Sequence, residues 1–180
     1  VLRAYYDVAA GLGYNLGRLH IGSCDFALEP WTCGNLLEGD MLLQGFCLDR
    51  YRTAIIPMVL QAGKVVGAAL TIFASPWSPP PWMKTSKSFH RGGRLRPDCR
   101  SAWAQHYVRF VQEMGRAGIP IWGITVQNEP EASQDWESCV YTCAEERDFV
   151  RTYLGPALES AGLSAVRILI WDHNRVGLRA

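Results

Sequence analysis

The sequence lacks the features that mark several large classes of protein. Of its 180 residues, 18 are Lys or Arg and 17 are Asp or Glu, which gives a formal charge of +1. This balance predicts neither a nucleic acid nor an anionic membrane surface as a partner. No run approaches the roughly 20 apolar residues of a membrane-spanning helix. The start, Val1-Leu2-Arg3, shows no signal-peptide pattern, so the residues alone leave the compartment unknown.

Nucleotide-binding and metal-binding motifs are missing as well. No Gly-x-Gly-x-x-Gly follows a strand-like run, which argues against a doubly wound nucleotide-binding fold. The six cysteines form no Cys-x-x-Cys pair and no His pair has ligand spacing, so we expect no metal site. A chain of this length needs no covalent staples, and we expect mostly free thiols. One or two bridges among Cys24, Cys33 and Cys47 are the alternative.

Helix-like and strand-like patterns alternate along the chain. Segments of strand length occur at residues 14–21, 68–74, 121–126 and 166–171, and residues 68–74 form a continuous apolar run. Amphipathic helices are predicted over 2–10, after Asp49, after Asp98 and behind the Thr142–Glu145 capping box. Pro57 is expected to shorten or kink the second helix. Strands that are apolar on both faces and alternate with helices form a parallel sheet.

Each predicted strand is followed by polar or aromatic residues of functional type. They are Ser23-Cys24-Asp25, Ser75-Pro76-Trp77, Asn128-Glu129-Pro130 and Asp172-His173-Asn174. Barrel enzymes collect their chemistry at the carboxyl ends of the strands. The sequence therefore predicts an α/β protein with part of a (β/α) barrel, and an open doubly wound sheet is the less favoured architecture.

Glu129 is the main candidate for a catalytic residue. It follows Gln127-Asn128 at the end of an apolar run, where a carboxylate loses hydration and its protonated form, the one an acid catalyst needs, is favoured. Asn128 offers an amide to a sugar hydroxyl. A solvated glutamate at the start of a loop is the alternative, but the position after a buried strand favours catalysis.

Other candidates lie near the strand ends. Trp77 stands in a proline-stiffened loop, and an indole can stack on a sugar ring, whereas Trp82 is expected to be structural. A buried Arg18 needs an anionic partner, for which a catalytic carboxylate is a candidate, and Asp25 could bind vicinal hydroxyls. An internal salt bridge is the alternative for both. His173 suggests a serine triad, but no Gly-x-Ser-x-Gly elbow accompanies it.

Four segments together resemble glycoside hydrolase family 30. They are GYNLGRLHIGSCDF (13–26), ASPWSPPPWMKT (74–85), WGITVQNEP (122–130) and ILIWDHNR (168–175). The resemblance implies a (β/α)8 TIM barrel, of which residues 1–180 would be a partial catalytic domain holding strands two to five. It also implies hydrolysis of β-glycosides with retention, without a metal or organic cofactor, and a secreted or lysosome-like location.

The resemblance implies roles for individual residues. Glu129 matches the acid/base, Asn128 an asparagine that binds the sugar, and Arg18 an arginine that supports the nucleophile. Substrate contacts are further implied for Asp25, Trp77, Trp136 and Asn174. The nucleophile, a glutamate at the end of the seventh strand, is expected beyond residue 180, so the 180 residues alone should be inactive. The departures at Trp31, Cys33 and Pro81 lie in loops and bear on specificity.

The substrate implied is a β-glucoside, glucosylceramide-like in the first place. A β-1,6-glucan cleaved by an endo-acting enzyme is one alternative. A carbohydrate-binding barrel without catalysis is another, and it predicts sugar binding without turnover.

Overall fold

Four parallel strands and the helices between them make up the part of the chain that the structure, a computed structural model, describes: residues 1–34 and 37–175. The strands are β1 (Leu16–Ile21), β2 (Thr71–Pro76), β3 (Ile121–Thr125) and β4 (Arg167–Leu169). The helices are α1 (Leu2–Tyr6), α2 (Asp49–Arg52), α3 (Ile55–Val66), α4 (Arg100–Arg116), α5 (Cys143–Phe149) and α6 (Gly155–Ser160). A π turn, Val150–Leu154, joins α5 to α6.

The strands lie side by side in chain order, β1-β2-β3-β4, and every neighbouring pair is parallel. Leu16 is opposite Thr71, and Gly123 is opposite Arg167. Helices make each crossover, as the alternating pattern predicts. Because the strand order does not reverse among these strands, the sheet has the arrangement of a barrel segment and shows no switch point of a doubly wound fold.

Helix α4 provides the largest share of the helical core. Its apolar residues recur at helical spacing, so Trp103, Tyr107, Phe110 and Met114 are all buried on one face. The hydroxyl of Tyr107 donates to the carbonyl of Val126 at 2.6 Å. This bond ties the helix to the segment immediately before the Asn128-Glu129 pair.

The predicted helix boundaries are partly wrong. The first helix ends at Tyr6 and not at residue 10, because the Asp7 carboxylate accepts hydrogen bonds from the N–H groups of Ala9 and Ala10 and so favours a turn. Neither Asp49 nor Asp98 caps a helix: α2 begins after Leu48, and Asp98 instead pairs with Arg96.

Two further predictions concern the starts of α3 and α5. Pro57 falls in the first turn of α3, where its missing N–H is not needed, and the helix continues to Val66. The capping box of Thr142 and Glu145 is present at the start of α5, and that prediction is confirmed.

The six cysteines are free thiols. Over the described residues, no helix is long and apolar enough to cross a membrane.

Candidate functional site

Polar side chains from all four strands or their following segments meet at the carboxyl edge of the sheet. Arg18 lies on β1, Ser75 on β2 and Thr125 on β3, while Asn128 follows β3 and Asp172 follows β4. We call these five residues the Asp172 network. Parallel strands end at one edge, so residues far apart in sequence come together there.

One carboxylate oxygen organises the network. Oδ2 of Asp172 accepts hydrogen bonds from Nη2 of Arg18 at 2.5 Å, Oγ of Ser75 at 2.9 Å and Oγ1 of Thr125 at 2.8 Å. The Arg18 guanidinium also donates to Oγ of Ser75 and to Oδ1 of Asn128, each at 2.9 Å. Arg18 and Asp172 are therefore an internal salt bridge, which was one of the two alternatives for Arg18.

Trp77 packs on this salt bridge. Its side chain is buried, and the Arg18 guanidinium carbon lies 4.7 Å from a ring centroid, within cation–π distance. In this structure the Trp77 ring contacts the Arg18 guanidinium. Stacking of a sugar on Trp77 stays a prediction. Trp82 is buried as well.

The backbone around Glu129 is held on both sides. The N–H of Asn128 donates to the carbonyl of Pro76, and the N–H of Glu129 donates to the carbonyl of Asp172, both at 2.8 Å. Glu129 has φ of 47°, a conformation that non-glycine residues rarely adopt. A residue held in this region by its neighbours is a common feature of functional sites. The side chain is half-buried at the rim.

The amide of Gln127 links the loops after β2 and β3. Its side chain is fully buried, and Nε2 donates to the carbonyls of Trp77 at 2.7 Å and of Asn128 at 2.9 Å. The two loops that hold Trp77 and Glu129 are therefore joined to each other as well as to the sheet.

Three predicted substrate-binding residues lie outside this network. Asp25 and Asn174 are exposed, and Trp136 has 41% of its surface accessible. The backbone carbonyl of Asn174 accepts a hydrogen bond from Nε1 of Trp171 at 3.2 Å. Their roles toward a substrate stay predictions.

Sequence reasoning placed Ser75 at a strand end without giving it a role, and it missed Thr125 and Gln134. Ser75 and Thr125 are polar residues at the ends of apolar strands, and that position was the available signal. Gln134 donates from Nε2 to Oε2 of Glu129 at 3.2 Å, and no sequence pattern marks it.

A buried acid lies behind the segment that follows β4. Glu146 of α5 is buried, and its Oε2 accepts a hydrogen bond from the N–H of Trp171 at 3.4 Å. Burial raises its pKa to about 7, and the negative charges of Asp172 and Glu131 act in the same direction. No group of three His, Cys, Asp or Glu side chains within the described ranges could hold a metal ion.

Comparison with known proteins adds independent information. The model of the glycosyl hydrolase family 30 TIM-barrel domain matches residues 1–180. Putative glucosylceramidase 3 of Caenorhabditis elegans is 35% identical over 173 residues, which are 92% of this chain and 33% of that protein. The lysosomal acid glucosylceramidase of Mus musculus is 31% identical over 185 residues, 98% of this chain and 35% of the mouse protein.

Two solved structures superpose closely on this chain. SrfJ from Salmonella typhimurium superposes with a TM-score of 0.91 at 36% identity, over 98% of this chain and 39% of SrfJ. The endo-beta1,6-glucanase BT3312 superposes with a TM-score of 0.87 at 31% identity, over 96% of this chain and 38% of that chain. The predicted fold, part of a TIM barrel, is confirmed. The chain spans about a third of the length of the curated relatives it matches.

Proposed function

This chain belongs to glycosyl hydrolase family 30, and we propose that it carries the acid/base catalyst, Glu129, of a retaining β-glycosidase. The observation that carries the proposal is the placement of Glu129. Its carboxylate stands at the rim beyond β3, next to Asn128 and the Asp172 network. The N–H groups of Asn128 and Glu129 donate to the carbonyls of Pro76 and Asp172, which holds the backbone in place. Barrel enzymes place catalytic groups at this end of the strands.

The proposed reaction is a double displacement. Glu129 donates a proton to the departing glycosidic oxygen while a second carboxylate attacks the anomeric carbon and forms a glycosyl-enzyme intermediate. Glu129 then removes a proton from water, which attacks the same carbon and releases the sugar with its configuration retained. Retention requires the two carboxyl groups to lie about 5–5.5 Å apart. We propose that the second carboxylate is a glutamate outside these 180 residues.

Neighbouring residues have supporting roles in this proposal. Asn128 is already oriented by the hydrogen bond from Arg18, and its Nδ2 can donate to a sugar hydroxyl. Arg18 is held in place by its salt bridge to Asp172 and can donate a hydrogen bond to the second carboxylate. Asp25, Trp77, Trp136 and Asn174 are proposed to contact the sugar or the group attached to it.

The proposed substrate is a β-glucoside of the glucosylceramide type. Putative glucosylceramidase 3 of the worm, at 35% identity, and the lysosomal acid glucosylceramidase of the mouse, at 31%, support this choice. A β-1,6-glucan is the second candidate, because an endo-beta1,6-glucanase superposes with a TM-score of 0.87. Assay of the full-length enzyme on both substrates separates the two.

The Glu129→Gln variant of the full-length enzyme tests the catalytic assignment. For an alkyl β-glucoside, whose leaving group needs a proton, we expect kcat/KM to fall by roughly 10²–10⁴-fold. An activated aryl β-glucoside should lose much less. Azide needs no general base, so it should restore turnover and form a β-glycosyl azide.

Glu131→Gln is the matched control, since Glu131 is an exposed carboxylate two residues away. It should keep activity close to that of the parent on both glucosides. Equal losses of Glu129→Gln on both substrates, with no response to azide, would remove Glu129 from the acid/base role.

A further inference from the structure

The loop after β3 folds back on Glu129. Its turn is closed by a hydrogen bond from the N–H of Ala132 to the carbonyl of Glu129 at 2.9 Å. The chain then places the half-buried Gln134 where Nε2 lies 3.2 Å from Oε2 of Glu129. An amide NH2 at this distance donates a hydrogen bond to the carboxylate.

The backbone of Gln134 is fixed at both of its polar groups. Its N–H donates to Oγ of Ser138 at 3.1 Å, and its carbonyl accepts from the N–H of Arg91 at 2.7 Å. Oγ of Ser138 also accepts from the N–H of Gly92 at 2.9 Å. The residues around 91 and 92, which follow β2, therefore hold the loop that follows β3.

A buried lysine holds Ser138 in turn. Nζ of Lys84 lies 2.6 Å from the carbonyl of Ser138 and also bonds the carbonyls of Ser88 and Phe89, at 2.7 and 3.0 Å. The Lys84 side chain is completely buried, so these carbonyls replace its water shell. Loss of this cation would remove one donor from carbonyls of two loops, those of Ser88 and Phe89 after β2 and that of Ser138 after β3.

The two loops also approach each other closely at Gly92. Gly92 has φ of 65°, and a Cβ there would lie 2.9 Å from Oγ of Ser133, next to Gln134. The loop after β2 therefore passes directly beside residue 133, next to Gln134. The position of the Gln134 amide is therefore built into the fold.

We infer that Gln134 is a positioning residue for the acid/base. Its amide donates a hydrogen bond to Oε2 of Glu129, so that Oε1 is the atom that exchanges the proton. The inference rests on the proposed function of Glu129. An amide donates but neither gains nor loses a proton near neutral pH, so Gln134 orients the carboxylate without competing for its proton.

Two variants of the full-length enzyme test the inference. Gln134→Met keeps the approximate shape of the side chain and removes the donor. We expect kcat/KM for an alkyl β-glucoside to fall about tenfold, the loss of roughly one hydrogen bond. For an activated aryl β-glucoside it should stay within about twofold, because that step depends little on proton donation. Because methionine offers the ionised Glu129 carboxylate no donor, the alkaline limb of the alkyl-glucoside pH profile should move to higher pH.

Gln134→Glu tests the same inference by rescue. When protonated, the new carboxyl can donate to Glu129 and should bring the alkyl-to-aryl ratio of kcat/KM toward the parent value at low pH. When ionised, it repels Glu129 and should lower the ratio and move the alkaline limb further. Gln61→Met, at an exposed glutamine on α3, is the control and should leave both the ratio and the limb unchanged.

The ratio of the two substrates does not depend on the fraction of enzyme that folds. Equal losses on both glucosides, or a parent-like ratio and limb in both Gln134 variants, would show that Gln134 only supports the loop and overturn the inference. The Glu129→Gln variant, assayed alongside, separates the two hypotheses. If it behaves as an acid/base variant while the Gln134 variants keep the parent ratio, the inference alone is wrong.

Discussion

At Asp172, one carboxylate oxygen accepts hydrogen bonds from side chains of β1, β2 and β3. Each donor, Arg18, Ser75 and Thr125, would otherwise need water or another acceptor. Hydrogen bonds to a charged group are stronger than those between neutral groups. Asp172, in the segment after β4, thus links the four strands. Its backbone carbonyl also accepts a hydrogen bond from the N–H of Glu129.

Asp172→Asn should therefore reduce both stability and activity. The neutral amide oxygen is a weaker acceptor, and Arg18 loses its counter-charge. We expect the free energy of unfolding to fall by about 1–3 kcal/mol, within the range for losing charged hydrogen bonds at a partly exposed site. We expect kcat/KM to fall for alkyl and aryl glucosides alike. Denaturant unfolding and steady-state kinetics of the full-length enzyme measure the two effects.

Glu29→Gln is the control for this variant, because it breaks the Arg50–Glu29 ion pair, also at 2.5 Å but with both side chains more than half exposed. An exposed pair contributes little, and a change below about 0.5 kcal/mol is expected. A loss as large as that of Asp172→Asn would mean that the network adds nothing beyond an ordinary ion pair.

Helix α5 begins with a stabilising capping box but also buries an acidic side chain. Its capping box satisfies the first turn through Thr142 and Glu145. One residue later, Glu146 is buried with its pKa raised to about 7 from the ordinary 4.5. The N–H of Trp171 is its hydrogen-bond donor. The helix thus places a titratable group directly behind the segment that leads to Asp172.

Glu146→Gln should change how stability depends on pH. Between about pH 4.5 and pH 7 the folded protein keeps the Glu146 proton while the unfolded chain has lost it. The folded state binds more protons there, so stability falls as pH rises through this window, by about 3 kcal/mol for this group. The variant should lack this fall and be more stable than the parent above pH 7. Its advantage should shrink toward pH 4.

Thermal midpoints of the full-length enzyme from pH 4 to 8.5 measure this effect. Glu159→Gln, at an exposed position on α6, is the matched control and should follow the parent curve. Parallel curves for parent and Glu146→Gln would contradict the raised pKa of Glu146.

For the whole molecule, the arrangement of the sheet determines what this chain can do alone. Within the described ranges, β1 and β4 each pair with one strand only. A (β/α)8 barrel closes its sheet and fills the interior with side chains from all strands. Unpaired edges and an uncovered inner face favour aggregation.

The 180-residue chain by itself should therefore be marginally stable and inactive as a glycosidase. Protonation by Glu129 without an opposing nucleophile cannot form a glycosyl-enzyme intermediate. A protein extended to a complete family-30 barrel should hydrolyse aryl β-glucosides, and proton NMR should show the β-anomer as the first sugar released. An initial α-anomer would refute retention. Robust turnover by the 180 residues would point to a carboxylate such as Glu131 or Glu137 as the nucleophile.

The sequence by itself determined the alternation of helices and strands, the parallel sheet and the capping box of α5. These features depend on local periodicity and on residues a few positions apart, which can be read without knowing the fold. The location of Glu129 at a strand end follows from the same patterns. The family resemblance of the four segments, confirmed by the family match over residues 1–180, supplied the expected chemistry.

Only the tertiary structure decided which side chains meet at the site. Arg18 and Asp172 are 154 positions apart, and Thr125 and Asp172 are 47 apart, so no local pattern pairs them. The donor of Gln134 reaches Glu129 because the loop after β3 folds back and Lys84 and Ser138 hold it there. Asp49 and Asp98 have the residue type of helix caps but do not cap helices. Burial and long-range partners arise when the strands assemble, and for that reason spacing in the sequence does not reveal them.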